Sequence, residues 1–359
     1  MSIMRMKFGP QHPISGHLCL ALDIDGDTVV GMEPDIGYTH RGLEKIAENR
    51  TYINVVPPLE RANIIDPVPM VWGYVAAAEE LMGVRVPERA DFIRVIMAEM
   101  SRITSHLYWL CLMSSSVGLE TMLMWPINDR ELFLDLLEMH TGARLTYSFF
   151  IPGGVRKDLP RGFIEQAFKR LDYFEKRLGV YYDMLYKSYT FQVRTRGVGK
   201  LMSEDAIRLG VVGPNLRGSG SKFDVRKDEP YGVYDQFEFD VPFGEGGDSY
   251  DRALVRLREM EQSISIIRQA MYALPEGSIR SPAPPSAPAG EVYSRVESAR
   301  GELGYYLLGD GSNRPYRLKM SAPSFRNLIA LLHLTKNIPF ADVPTILWSL
   351  DLWPLDIDR

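Results

Sequence analysis

The stretch from Glu88 to Gly118 constrains this chain more than any other. Ile93, Ile96, Met100, Ile103, Leu107 and Leu110 recur at alternating intervals of three and four, which draws an apolar seam down one face of a long helix. Pro87 stands just ahead, where a missing N–H costs a helix little, and Glu88 suits the positive end of the helix dipole. Arg94, Glu99, Arg102 and His106 mark a second face that either pairs internally or looks into a cavity. A helix this long must pack on several others, so the expectation is a helical bundle.

The rest of the chain arranges itself around that beam. Alternation through Leu18, Leu20, Leu22 and Ile24, a turn at Gly26 and then Val29-Val30 predict a hairpin within residues 6–34. Helices are predicted at 69–83, 88–117, 129–142, 161–188 and 251–274, with short ones at 323–337 and 342–349. A second small sheet is expected over 291–308 and 315–320, after a proline strap at 281–288. Residues 194–248, dense in Gly, Pro, Arg and aromatics, read as irregular chain that wraps a surface. The class is mainly α with small β appendages (α+β). Three parts follow: 1–68, an N-terminal β hairpin domain with a cavity loop; 69–280, the bundle with its wrapping segment; and 281–359, the strap, small β element and C-terminal helices.

Composition narrows function by exclusion. A net charge of −5 over 359 residues offers no broad basic surface for nucleic acid. No apolar run approaches the roughly 18 to 20 residues that span a bilayer. Cys19 and Cys111, in no CxxC pair, make neither a disulfide framework nor a cysteine-only metal or cluster site, and six scattered histidines make a self-contained metal centre improbable. Gly197-Val198-Gly199 and Gly218-Ser219-Gly220 lack the strand, helix and lysine of a phosphate loop. His12, between two prolines, reads first as a backbone-bonded histidine, and His40-Arg41 as a solvated cation pair. The residues alone therefore suggest subunit contact rather than independent catalysis.

From Gly9-Pro10-Gln11-His12-Pro13 onward the chain resembles a known family. The resemblance continues through Gly37-Tyr38-Thr39-His40-Arg41-Gly42, Pro87-Glu88-Arg89-Ala90, Gly153-Gly154-Val155, Arg217-Gly218-Ser219-Gly220, Gly301-Glu302-Leu303-Gly304 and the terminal Asp358-Arg359. That family is the 49 kDa, or D, subunit of respiratory complex I, related to nickel–iron hydrogenase large subunits. It implies a hydrogenase-like bundle docked beside an iron–sulfur subunit, other peripheral-arm subunits and a membrane-arm subunit, on the cytoplasmic side of the cell membrane. Electrons would reach a 4Fe-4S cluster in the neighbour and pass to a quinone or quinone-like acceptor in a shared cavity, within an NADH-, F420H2- or ferredoxin-linked translocase. This chain would bind no cofactor or metal alone, and no residue is assigned a certain catalytic role.

Matched residue by residue, His40, Arg41, Arg61 and Thr146 fall on the cluster-facing side, with Thr146 where the family carries a histidine. The acceptor cavity receives His12, Gly16, His17, Ile64 and Ser116. In quinone-reducing members three of these positions hold a histidine, a tyrosine and an aspartate that supply protons; here they read Gly16, Ile64 and Ser116, with His17 one place late. Where hydrogenases keep their cysteine pairs this chain has Arg41–Lys45 and Asp351–Asp356, so a nickel–iron centre lacks ligands. Two further readings stand beside quinone reduction: a non-quinone acceptor, as in sulfur-reducing relatives, or a structural subunit that couples its neighbours without binding an acceptor.

Overall fold

The computed structural model describes residues 3–11 and 17–359. The central helix runs Glu88–Ser116, and all six seam residues are buried. Each buried aliphatic side chain of this kind contributes about 1.5–3 kcal/mol. The helix has no solvated face at its middle, however. Arg94, Glu99, Arg102 and His106 are also buried, because the surrounding elements bring them partners. Around it pack Pro67–Met82, Glu120–Thr141, Phe163–Lys187 and Ser249–Tyr272. The Glu120–Thr141 helix starts nine residues before the expected 129, carrying Pro126 inside it. Proline removes one hydrogen bond there, and packing of Met122 and Pro126 against the bundle offsets that loss.

The N-terminal hairpin pairs Cys19–Asp25 with Thr28–Asp35 around Gly26, which takes a left-handed φ of 67°. It gains two neighbours that periodicity did not reveal. Met4–Phe8 lies on one edge and the two-residue strand Ile338–Pro339 on the other, all antiparallel. The second sheet joins Ala289–Ser298, Gly301–Asp310 and Arg317–Ser321 in sequence order. Its first turn is pressed onto the bundle so closely that a Cβ on Gly301 would lie 2.8 Å from the Cα of Gly213. The smaller of two apolar cores draws on both chain ends, uniting Leu20, Leu22 and Val29 with Leu331, Ile346 and Leu350.

Residues 194–248 depart from the expected surface wrap. They include the helices Ser203–Arg208, Pro214–Gly218 and Val225–Asp228, and much of the segment is interior. Arg217 pairs with Glu259 at 2.7 Å, Glu297 at 2.9 Å and Asp224 at 3.4 Å. Arg226 pairs with Asp224 at 2.7 Å and Glu99 at 3.1 Å, and Arg102 with Glu99 at 3.2 Å. Glu99 also accepts from Tyr234 and Ser263, both at 2.6 Å. A guanidinium is admitted to a protein interior only with its counter-charges, and here they come from helices and a strand far away in sequence. No helix among the described residues is long and apolar enough to cross a membrane.

Candidate functional site

The loop Gly37–Gly42 is held in place by the other end of the chain. Asp358, on the last helix Pro354–Asp358, accepts from Gly37 N at 2.8 Å and from Thr39 N and Thr39 Oγ1, each at 2.7 Å. Its main-chain oxygen lies 2.6 Å from His40 Nδ1, so that nitrogen carries a hydrogen and donates, leaving Nε2 as the free ring nitrogen. A carboxylate on two backbone N–H groups and a hydroxyl is a charge-assisted clamp. Beside it opens a pocket of about 440 Å3, lined by His40, Gly42, Phe325, Ile357 and Arg359, with Lys319 and Arg317 at its side.

Arg41 points the other way. Its guanidinium donates to the carbonyl of Arg61, and Arg61 in turn donates to that of Pro57. Among the described residues neither makes an ion pair. Burial, and then Arg61, lower the pKa of Arg41. A second hollow, about 430 Å3, is lined by Arg41, Lys45, Asn49 and Arg50, with no acid among its walls. Two cations thus lie side by side, each donating to one carbonyl oxygen and neither in an ion pair among the described residues.

Thr146 is half-buried in the loop after the Glu120–Thr141 helix. That loop is tied to the arginines through Glu60, a buried carboxylate that accepts from both the backbone and the hydroxyl of Ser148. Ser148 has a left-handed φ of 43°, an uncommon conformation that the clamp holds. Burial raises the pKa of Glu60 against these donors and Arg61. Arg41, Arg61 and the Thr146 loop are therefore one connected unit.

The acceptor-cavity positions are less connected. His12 and Gly16 lie outside the described residues. His17 is exposed, and among the described residues it makes no hydrogen bond or ion pair. Ile64 is half-buried next to the buried Asn63, whose side-chain oxygen lies 3.2 Å from both Ile65 N and Asp66 N. Ser116 closes the central helix and turns its hydroxyl back to Met113 O at 2.7 Å.

Several residues that matter here carried no signal in spacing. Behind the pocket, Arg300 pairs with Asp351 at 3.0 Å and donates to Ser105 at 3.0 Å. Asp66 accepts from Ser101 and from Ala299 N, both at 2.8 Å. Asp356 is fully buried, 3.4 Å from the Asn63 amide. The clue available was the density of acids in the otherwise apolar run Ser349–Ile357.

Comparison with known proteins shows the family. Residues 116–287 and 283–359 match the family described as respiratory-chain NADH dehydrogenase, 49 Kd subunit. The D-type subunit of the NADH-quinone oxidoreductase of Carboxydothermus hydrogenoformans is 47% identical over 356 residues, covering 98% of each chain. Its counterpart from Syntrophobacter fumaroxidans is 44% identical over 361 residues, covering 99% of this chain and 97% of its own. Among solved structures, a chain of the membrane-bound sulfane sulfur reductase, an archaeal respiratory membrane complex, superposes with a TM-score of 0.96 at 36% identity, covering 99% of this chain and 98% of that one. The chain belongs to the 49 kDa, or D, subunit family of respiratory-chain NADH dehydrogenase.

Proposed function

We propose that this chain is the acceptor-site subunit of a complex I-like, ion-translocating membrane oxidoreductase. With an adjoining subunit that carries a 4Fe-4S cluster, it walls the cavity in which electrons reach a quinone-like acceptor, on the cytoplasmic face of the membrane. The observation that carries this reading is the adjacent pair Arg41 and Arg61, neither in an ion pair among the described residues, with Arg41 on a hollow that has no acid in its walls. Two guanidiniums with only Glu60 nearby leave net positive charge at a surface suited to an anion, and a thiolate-ligated cluster is one. The bound cluster would supply single electrons; this chain's own residues hold its environment positive and shape the acceptor pocket beside His40.

The test is potentiometric titration of the purified complex. Replacing Arg41 or Arg61 by Gln removes a cation that favours the reduced cluster, so its midpoint potential falls by tens of mV, on the order expected for one charge at about 10 Å in a protein medium. A potential unchanged in both variants would sink the reading.

A second reading, a sulfur-type acceptor, has one specific observation in its favour. Ile64 offers no proton and the Ser116 hydroxyl is spent on its own helix. The structural neighbour named above is a sulfane sulfur reductase. Turnover inhibited by quinone analogues supports the first reading, and polysulfide-dependent turnover the second.

A further inference from the structure

We propose that Asp356 is the proton-holding residue behind the acceptor pocket, releasing a proton toward the acceptor as it is reduced. This rests on the acceptor reading above. A quinone-like acceptor takes up two electrons and two protons, its two carbonyl oxygens becoming hydroxyls, so the pocket needs a proton source within reach. The cations around it, Lys45, Arg317, Lys319 and Arg359, are poor donors near neutrality, and Ile64 and Ser116 supply none.

The surroundings of Asp356 favour the neutral acid. The side chain is fully buried and makes no ion pair among the described residues. Its Oδ2 meets the Asn63 amide at only 3.4 Å, and the Ser324 hydroxyl is its other hydrogen-bonding neighbour. Arg300 is the cation that acts on it, but its Nη2 is committed to Asp351 at 3.0 Å and its Nη1 to Ser105 at 3.0 Å. Five groups face the carboxyl from five directions: Asn63, Arg300, Tyr305, Ser324 and Asp351. Burial lifts the pKa to about 7, Ser324, Arg300 and Asn63 pull it down, and the neighbouring Asp351 charge adds to the rise.

Its position suits the task. Asp356 stands on the Pro354–Asp358 helix, whose Ile357 and Asp358 line the pocket, and it touches Asn63, next to Ile64. Arg300 Nε, Asp351 Oδ2 and Trp353 Nε1 are buried without partners. Buried polar atoms gathered this way are ordinarily bridged by ordered water, which also carries protons. Per acceptor reduced, the electrons come from the iron–sulfur partner and one proton from Asp356. The carboxylate left behind is reprotonated from solvent, and the second proton enters at the open mouth of the pocket.

The experiment uses the purified complex with a short-chain quinone, comparing wild type with Asp356→Asn and Asp356→Glu. In wild type, quinone reduction falls as pH rises through about 7. Asp356→Asn lowers it at least about tenfold below that pH and flattens the profile, while cluster reduction by the donor is unchanged. Asp356→Glu restores the pH dependence. Infrared difference spectra of wild type minus Asp356→Asn show the carbonyl stretch of a protonated carboxyl that vanishes across the same pH range. A wild-type profile in Asp356→Asn, or no titrating carboxyl in the difference spectrum, overturns the proposal. If the complex reduces no quinone at any pH, the acceptor reading fails, and the infrared titration still decides where the proton resides. If Asp356→Asn does not assemble, the same band followed in wild type against Asp356→Glu decides it.

Discussion

Removing the carboxylate of Asp358 should loosen the His40 loop by a calculable amount. Three hydrogen bonds end on that carboxylate, at 2.7–2.8 Å. A bond to a charged acceptor contributes roughly 1.5–3 kcal/mol when its donor is left stranded. Gly37 is exposed and Thr39 half-buried, so the freed donors regain water, and a net value below that range, about 1 kcal/mol each, is appropriate. Asp358→Ala then lowers the free energy of local opening by about 3 kcal/mol, which makes amide exchange at Gly37 and Thr39 roughly 100-fold faster. The His40 contact uses the main-chain oxygen of residue 358 and survives the substitution. Asp358→Asn keeps one acceptor and turns an NH2 toward the other donors, so it falls between, near tenfold. Hydrogen–deuterium exchange resolved to these two amides is the assay. Exchange within about threefold of wild type in Asp358→Ala would refute the idea that this carboxylate holds the loop.

Two other outcomes follow from the buried charges. Arg217→Met leaves Glu297 without an ion pair and Glu259 with His106 alone, while Asp224 keeps Arg226; losing one partner of a buried pair costs about 3–5 kcal/mol, so the melting temperature drops by about 4–7 °C in thermal unfolding. His140 is buried between Phe149 and Phe163 with neither ring nitrogen bonded, and burial lowers its pKa from 6.5 to about 4. The unfolded chain then binds the proton more readily than the folded one, so stability is whole above pH 6.5 and is lost as pH falls toward 4. Denaturant unfolding at pH 7.5 and pH 5 should show about 2 kcal/mol less loss for His140→Leu than for wild type. Equal losses would mean that the ring is solvated or paired.

The long helix was legible because its apolar period is local: Ile93 through Leu110 repeat within one element, and such a repeat marks a helix with one face on a core. The hairpin around Gly26 was legible for the same reason, with period two in place of three to four. His40 and Arg41 read from the residues as a solvated cation pair, and the motif around them helped to carry the family, through which Arg61 was matched. What periodicity could not show was who answers whom. Residues 194–248 look solvated in one dimension, since arginine and glycine together suggest surface; Glu259 and Glu297, distant in sequence, turn Arg217 into a core residue. Glu60 gave no hint that it holds Ser148, nor Asp358 that it holds Gly37, because a hydrogen bond across 88 or 321 residues leaves no trace in spacing. By itself, then, the amino-acid order determined the helices, the hairpins and the family. Only the tertiary structure decided which charges are buried together and which are left at the surface without an ion pair, since burial and counter-charge are set by chain segments that meet only once the bundle has closed.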